Sequence, residues 1–218
     1  MTKLTLLAAA AAIGLPQAAQ AKAGDVLVRA RAILVAPQER SGSVLPTFPG
    51  EKVKVSDSWA PEVDFTYMAT DHLGFELIAA TTKHHASGKN GTTGSIGKLA
   101  STWVLPPTLT AQYHFNPAGH VRPYVGAGVN YTIFYSEKAS SGLKAAVGPT
   151  KVNMKNSLGP AIQAGVDFDI GKNIFLNLDA KWIQIDTTAR LDTTALGTEK
   201  VKVHLDPLVI GIGIGTRF

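Results

Sequence analysis

The sequence predicts an all-β protein, an eight-stranded antiparallel up-and-down transmembrane β-barrel. Two observations carry this prediction. Apolar and polar residues alternate along eight segments, as they do on strands whose two faces meet different surroundings. The connections between these segments are alternately long and short, as in outer-membrane barrels. The 218 residues include no cysteine, which excludes disulfide scaffolds, thiolate metal sites and cysteine nucleophiles.

Residues 1–21 have the features of a secretory signal peptide. Lys3 gives a positive start, an apolar run extends to Leu15, and Ala19-Gln20-Ala21 is a cleavage site of small residues. The apolar run is shorter than the roughly 20 residues that a membrane-spanning helix needs. We therefore expect the signal peptide to be removed and residues 22–218 to form the exported barrel domain.

The predicted strands follow the signal peptide in order. Their ranges are 25–36, 58–68, 73–82, 105–115, 121–134, 158–169, 174–182 and 202–218. The second shows the alternation most clearly, with Val63, Phe65 and Tyr67 on one face and Asp64 and Thr66 on the other. Long connections are predicted at 37–57, 83–98, 136–155 and 190–200, and short ones at 69–72, 116–120 and 171–173.

The distribution of charge favours a membrane barrel over a soluble β-sandwich or lipocalin-like barrel. The charged residues fall on one face of the strands: Arg29, Arg31, Glu62, Asp64, Glu76, Arg122, Asp167, Asp169, Asp179, Lys181 and Arg217. The opposite face is nearly free of charge over nine or ten residues per strand, as an apolar belt of about 25 Å requires. These charged side chains are therefore predicted to line the lumen.

The carboxyl-terminal residue lies on the apolar face. Phe218 resembles the terminal aromatic signal by which the barrel assembly machinery recognises outer-membrane barrels. The predicted location is the outer membrane, and the predicted surroundings of the belt are outer-membrane lipid.

Several segments resemble the OmpW family of small outer-membrane barrels. They are residues 65–71 (FTYMATD), 76–81 (ELIAAT), 105–109 (LPPTL), 122–131 (RPYVGAGVNY), 186–189 (DTTA) and 205–207 (LDP). The resemblance covers the mature chain and departs at Leu158-Gly159, where relatives often carry Trp-Gly. It implies an eight-stranded barrel and, for the family, a conduit for small hydrophobic molecules.

Two interpretations of the lumen remain open at this stage. Eight strands enclose a space that side chains nearly fill, so the lumen charges form either a salt-bridged plug or a polar floor above which a solute passes. Pro106 and Pro107 lack backbone donors within a strand. We expect them to mark either the barrel rim or a lateral opening through which an apolar solute leaves the lumen.

The predicted function is a passive outer-membrane channel for small hydrophobic solutes. A structural or surface-interaction barrel with a plugged lumen is the alternative, and a lipid-modifying enzyme is a weaker one. The six histidines are scattered and no GxSxG element occurs. No catalytic residue, metal ligand or cofactor is therefore predicted. No nucleic-acid partner is predicted either, because the basic residues are dispersed. The oligomeric state is left open.

Overall fold

The structure is a computed structural model that describes residues 22–218. The predicted signal peptide, residues 1–21, lies outside the described residues. The elements in chain order are β1 (Val26–Ala36), β2 (Arg40–Ser41), β3 (Val53–Val55), β4 (Ser58–Met68), β5 (Leu73–Ala80), β6 (Thr82–Gly88), α1 (Gly91–Ile96), β7 (Lys98–Leu105), β8 (Thr108–His114), β9 (Val121–Ala139), α2 (Ser141–Val147), β10 (Thr150–Met154), β11 (Ser157–Asp169), β12 (Ile174–Ile183), β13 (Asp186–Thr193), β14 (Gly197–His204) and β15 (Leu208–Arg217).

Eight strands close into one antiparallel ring, which confirms the predicted fold class. The ring runs β1–β4–β5–β8–β9–β11–β12–β15 and returns to β1. Short connections join β4 to β5, β8 to β9 and β11 to β12 at one end of the barrel. By the usual arrangement of outer-membrane barrels, that end faces the periplasm. Val26 and Phe218 exchange backbone hydrogen bonds of 3.1 and 3.0 Å there, so the chain ends close the ring.

The long connections predicted at 83–98, 136–155 and 190–200 contain helices and strands of their own. β6, α1 and β7 occupy most of the first, α2 and β10 lie in the second, and β13 and β14 form a hairpin across the third. Beyond the membrane the outward positions of these strands carry lysines, such as Lys83 and Lys202, instead of apolar residues. The apolar belt that identifies a membrane strand therefore ends before the strand pairing does.

The outer wall of the ring is apolar and the inner wall of its periplasmic half is polar. Phe65, Leu77 and Leu109 are each about half-exposed on the outside, whereas their sequence neighbours point inward and are buried. A barrel satisfies its backbone hydrogen bonds between strands and can face lipid in this way. In the described part of the chain, no helix is long and apolar enough to cross a bilayer.

Inward glycines allow the wall to bend sharply. A Cβ atom added at Gly128 in β9 would lie 1.9 Å from the carbonyl oxygen of Leu109 in the adjacent strand β8. That oxygen belongs to the backbone ladder, so it cannot move away as a flexible side chain would.

We expect Gly128→Ala to lower the free energy of unfolding by about 1–3 kcal/mol, because the added methyl group overpacks the wall. Urea titration of the refolded barrel, followed by tryptophan fluorescence, measures the change. Gly171→Ala is the control, since its added Cβ atom would meet nothing closer than 3.6 Å. Equal stability of the two variants would show that the wall relaxes at Gly128.

Candidate functional site: the barrel lumen

The lumen contains a buried ionic layer in its periplasmic half. Eight of the sequence-predicted lumen residues come together in this layer: Arg29, Arg31, Glu62, Asp64, Glu76, Asp167, Asp179 and Lys181. None of these residues is more than 4% exposed. Three cations thus face five carboxylates in surroundings almost free of solvent.

Arg29 is held by carboxylates from three different strands. Its Nη1 atom lies 3.0 Å from Asp64 Oδ1 in β4 and 3.5 Å from Glu76 Oε1 in β5. Its Nη2 atom lies 3.1 Å from Asp167 Oδ2 in β11, and Nη1 also donates to Thr66 Oγ1 at 2.8 Å. The guanidinium group therefore ties β1 to the hairpin of β4 and β5 and to β11, which is distant in sequence.

Arg31 and Lys181 connect the remaining carboxylates. Arg31 Nε lies 2.7 Å from Glu62 Oε1, and its Nη2 atom lies 2.7 Å from Asp64 Oδ2. Lys181 Nζ lies 3.1 Å from the same Glu62 oxygen and 2.7 Å from Asp179 Oδ1. Since all of these groups are buried, removal of any one leaves an uncompensated charge.

Neutral polar side chains complete the ionic layer. They are not among the lumen residues predicted from the sequence. Tyr124 donates its hydroxyl to Asp179 Oδ2 at 2.9 Å. Asn177 donates to Asp167 Oδ1 at 2.7 Å, and Gln163 donates to Glu76 Oε2 at 2.6 Å. Their positions on the charged face of β9, β11 and β12 could have identified them as lumen residues from the sequence.

Arg122 and Arg217 lie apart from the ionic layer, near the periplasmic end. Both approach Asp169: Arg122 forms a close ion pair with it, and the Arg217 Nη2 atom lies 3.7 Å from Asp169 Oδ1. Their nearness to the short connections places this second cluster at the periplasmic end of the lumen. The sequence-predicted charges therefore form two groups instead of one.

The extracellular half of the lumen is apolar, in contrast to the ionic layer in the periplasmic half. A cavity of about 110 Å³ lies there. Its lining includes residues from most of the ring, among them Ile33, Ile78, Val104, Phe134, Ile183 and Val209. Glu62 and Lys181 of the ionic layer also border this cavity. We call this cavity the apolar chamber.

The first long connection packs at the extracellular end of the chamber. Val44 is buried and lines the chamber, and Phe48 packs against the same apolar cluster. Thr47 bonds to the buried carboxylate of Glu199 through both its backbone N–H, at 3.2 Å, and its hydroxyl group. This segment therefore contributes to the upper wall of the chamber.

The wall of the barrel has a gap in its strand pairing beside Pro106 and Pro107. Ile78 of β5 pairs with Thr108 of β8, and Thr82 of β6 pairs with Val104 of β7. The register is the same on both sides of the gap, so no slip or bulge causes it. Proline lacks the N–H group that the ladder needs, and the pairing is therefore interrupted between residues 79–81 and 105–107.

Strand pairing is missing on only one side of the two prolines, and the gap adjoins the apolar chamber. On the other side of the prolines, Tyr131 of β9 donates its N–H to the Pro107 carbonyl at 3.0 Å, so that part of the wall is intact. Ala80 and Pro106 line the chamber. The interrupted pairing thus lies directly between the chamber and the outside of the barrel.

A closed eight-stranded ring with an apolar outer belt and a buried ionic layer inside defines an outer-membrane β-barrel protein. The sequence model described as "OmpW family" matches residues 22–218, and the chain belongs to that family. It is 38% identical to outer membrane protein W of Escherichia coli (strain K12) over 220 residues, with 100% of both chains covered. These findings confirm the family resemblance and the outer-membrane location.

Two further comparisons bear on the lumen. The crystal structure of the outer membrane protein OprG from Pseudomonas aeruginosa superposes with a TM-score of 0.86 and is 33% identical, covering 91% of this chain and 98% of that one. A relative from Pseudomonas sp. (strain C18), named dibenzothiophene metabolism operon protein DoxH, is 31% identical over 172 residues. That match covers 78% of this chain and 76% of the relative.

Proposed function

We propose that this barrel is a passive channel for small hydrophobic molecules, which enter the apolar chamber from outside and leave sideways into the bilayer. The apolar chamber beside a gap in the wall is the observation that carries the proposal. Such a cavity favours apolar solutes because it offers them contact surface at little cost in polar desolvation.

The ionic layer makes passage straight through the barrel costly. An apolar solute moving toward the periplasm would have to separate the ion pairs that Glu62 and Lys181 make at the chamber floor. Buried charges that lose their partners cost several kcal/mol. The gap beside Pro106 and Pro107 avoids that cost, because it leads from the chamber to lipid without crossing the ionic layer.

The name of one relative agrees with an apolar solute. DoxH is named for a dibenzothiophene metabolism operon, and dibenzothiophene is a fused aromatic compound without charge. We therefore take uncharged, sparingly soluble compounds as the solute class of this chain.

We expect the double substitution Pro106→Ala, Pro107→Ala to reduce the uptake of a hydrophobic solute severalfold. The substitutions restore the backbone donor at position 106, which faces residue 80, so the ladder between residues 79–81 and 105–107 can close. Uptake is measured as the rate at which a fluorescent polycyclic hydrocarbon enters outer-membrane vesicles containing the barrel, compared with vesicles lacking it. Folding is checked by the heat-dependent shift of the barrel on electrophoresis.

Pro160→Ala is the matched control, since Pro160 lies in β11 away from the gap and pairs with Val129. Uptake through this control should equal that of the original chain. Unchanged uptake in the folded double variant would reject the lateral exit. No uptake above that of barrel-free vesicles, even with the original chain, would favour the structural or surface-interaction barrel.

A further inference from the structure

Four exposed lysines lie together on the outer surface of the barrel, just beyond the apolar belt. We define the basic patch as Lys54 of β3, Lys83 of β6, Lys98 of β7 and Lys138 of β9. These four strands are neighbours in the sheet, in the order β3–β6–β7–β9. The residues beside Lys54 and Lys83 line the apolar chamber, so these two lysine side chains point away from the lumen.

The strand pairing places the lysines of the patch within reach of one ligand. Lys54 and Lys98 both pair with Ser87, one from each side, and two strand spacings separate them by about 10 Å. Lys83 lies four residues before Ser87 on the same strand. Long, flexible lysine side chains can converge across such distances on a single anionic group.

The charge of the basic patch is not balanced locally. Among the residues that the structure describes, none of its four lysines forms an ion pair. Glu137, beside Lys138, is engaged by the backbone N–H of Met154 at 3.2 Å. Burial lowers the pKa of His85 below its ordinary value, and the charges of Lys98 and Lys83 lower it further.

The patch continues directly into the membrane-facing surface. Lys83 Nζ lies 5.7 Å from the centre of the Trp103 ring, and Trp103 stacks on Tyr135 with their centres 6.4 Å apart. Tryptophan and tyrosine prefer the boundary between hydrocarbon and water. Leu105 and Ile133 follow on the same strands toward the belt. Lys83 therefore lies at the height of the lipid head groups, and Lys54 and Lys98 lie further toward the extracellular side, level with Ser87.

We propose that the basic patch binds the phosphate groups of a lipid in the outer leaflet, whose acyl chains lie along the adjacent apolar belt. Phosphate matches the unbalanced positive charge, and lysines near a membrane surface are attracted to anionic lipids. A lipid fits better than a soluble anion because the patch and the belt form one continuous surface. The site lies on the outside of the wall and is distinct from the lumen.

The test compares the binding of lipid A that carries its phosphates with the binding of dephosphorylated lipid A. Both are titrated into the full chain in a zwitterionic detergent, and lipid adducts are counted by native mass spectrometry. We expect the dissociation constant to rise by about tenfold or more in the variant Lys54→Gln, Lys83→Gln, Lys98→Gln, Lys138→Gln, because each lysine contributes to attraction at the surface. Dephosphorylated lipid A should bind weakly to both proteins.

The matched control removes the same charge elsewhere on the extracellular part of the barrel. Its substitutions are Lys151→Gln, Lys155→Gln, Lys200→Gln and Lys202→Gln, all at exposed positions. Affinity for lipid A should stay near that of the original chain in this control. Equal losses in the two variants, or equal binding of phosphorylated and dephosphorylated lipid, would overturn the proposal. Displacement of lipid A by an equal concentration of inorganic phosphate would also overturn it, since the site would then recognise phosphate alone.

Discussion

Replacement of Arg29 by methionine should lower the free energy of unfolding of the barrel by about 3–5 kcal/mol, the usual cost of breaking a buried ion pair from one side. The guanidinium group contacts Asp64, Glu76 and Asp167 and is fully buried. Methionine has a similar length but offers no charge or donor. Urea titration of the barrel refolded into lipid vesicles measures the loss.

The three carboxylates differ in how many partners they keep in the Arg29→Met variant. Asp64 and Glu76 keep Arg31, whose Nη2 atom lies 2.7 and 3.2 Å from them. Asp167 keeps only the 2.7 Å hydrogen bond from Asn177, so it carries most of the unpaired charge. The double variant Arg29→Met, Asp167→Asn should therefore recover part of the lost stability.

Two results would contradict this account of the ionic layer. A loss below about 1 kcal/mol for Arg29→Met would match the value of solvent-exposed ion pairs and would mean that water fills the lumen. Failure of the Asp167→Asn substitution to restore any stability would mean that the destabilisation arises from packing instead of charge.

The ring itself could be predicted from sequence because lipid imposes a simple rule on each strand. Phe65 and Leu77 must face outward while Asp64 and Glu76 face inward, and this alternation is visible without any knowledge of neighbours. The short connections could be predicted for the same reason. They lie where the alternation stops for only a few residues before it resumes.

The apolar chamber was missed because its residues break the alternation. Ile33 and Val35 lie on the same face of β1 as Arg29 and Arg31, and Ile78 and Ala80 lie on the same face as Glu76. A continuous apolar run at the extracellular end of a strand is the signal that both faces meet apolar surroundings. Strand alternation assigns one environment to each whole face and does not show how the environment changes along the barrel axis.

The gap in the wall could be predicted only in part. The sequence shows that Pro106 and Pro107 lack backbone N–H donors. It does not show which residues lie opposite them, because that depends on pairing between distant segments. The structure shows that residues 79–81 lie opposite and that two of them are the small residues Ala79 and Ala80. The position of the gap beside the chamber likewise depends on the register of the paired strands, which the sequence alone does not show.

Replacement of Ala80 by phenylalanine should abolish most of the barrel-dependent uptake of a hydrophobic solute. Ala80 is 8% exposed and faces the chamber beside the gap. A cavity of roughly 150 Å³ holds one benzene molecule, so a phenyl ring is enough to fill a chamber of about 110 Å³. The measurement is the rate of entry of a fluorescent polycyclic hydrocarbon into outer-membrane vesicles.

The control for this substitution is Ala164→Phe, which adds the same ring on the lipid-facing surface of β11. The ring of this control lies outside the lumen and should leave the uptake rate unchanged. Full uptake through a folded Ala80→Phe barrel would mean that solute does not pass through the chamber. Equal inhibition by both rings would instead point to a general effect of added aromatic bulk on the barrel wall. Loss confined to Ala80→Phe requires a path through the chamber, because the same ring on the lipid-facing side of β11 leaves the lumen unchanged.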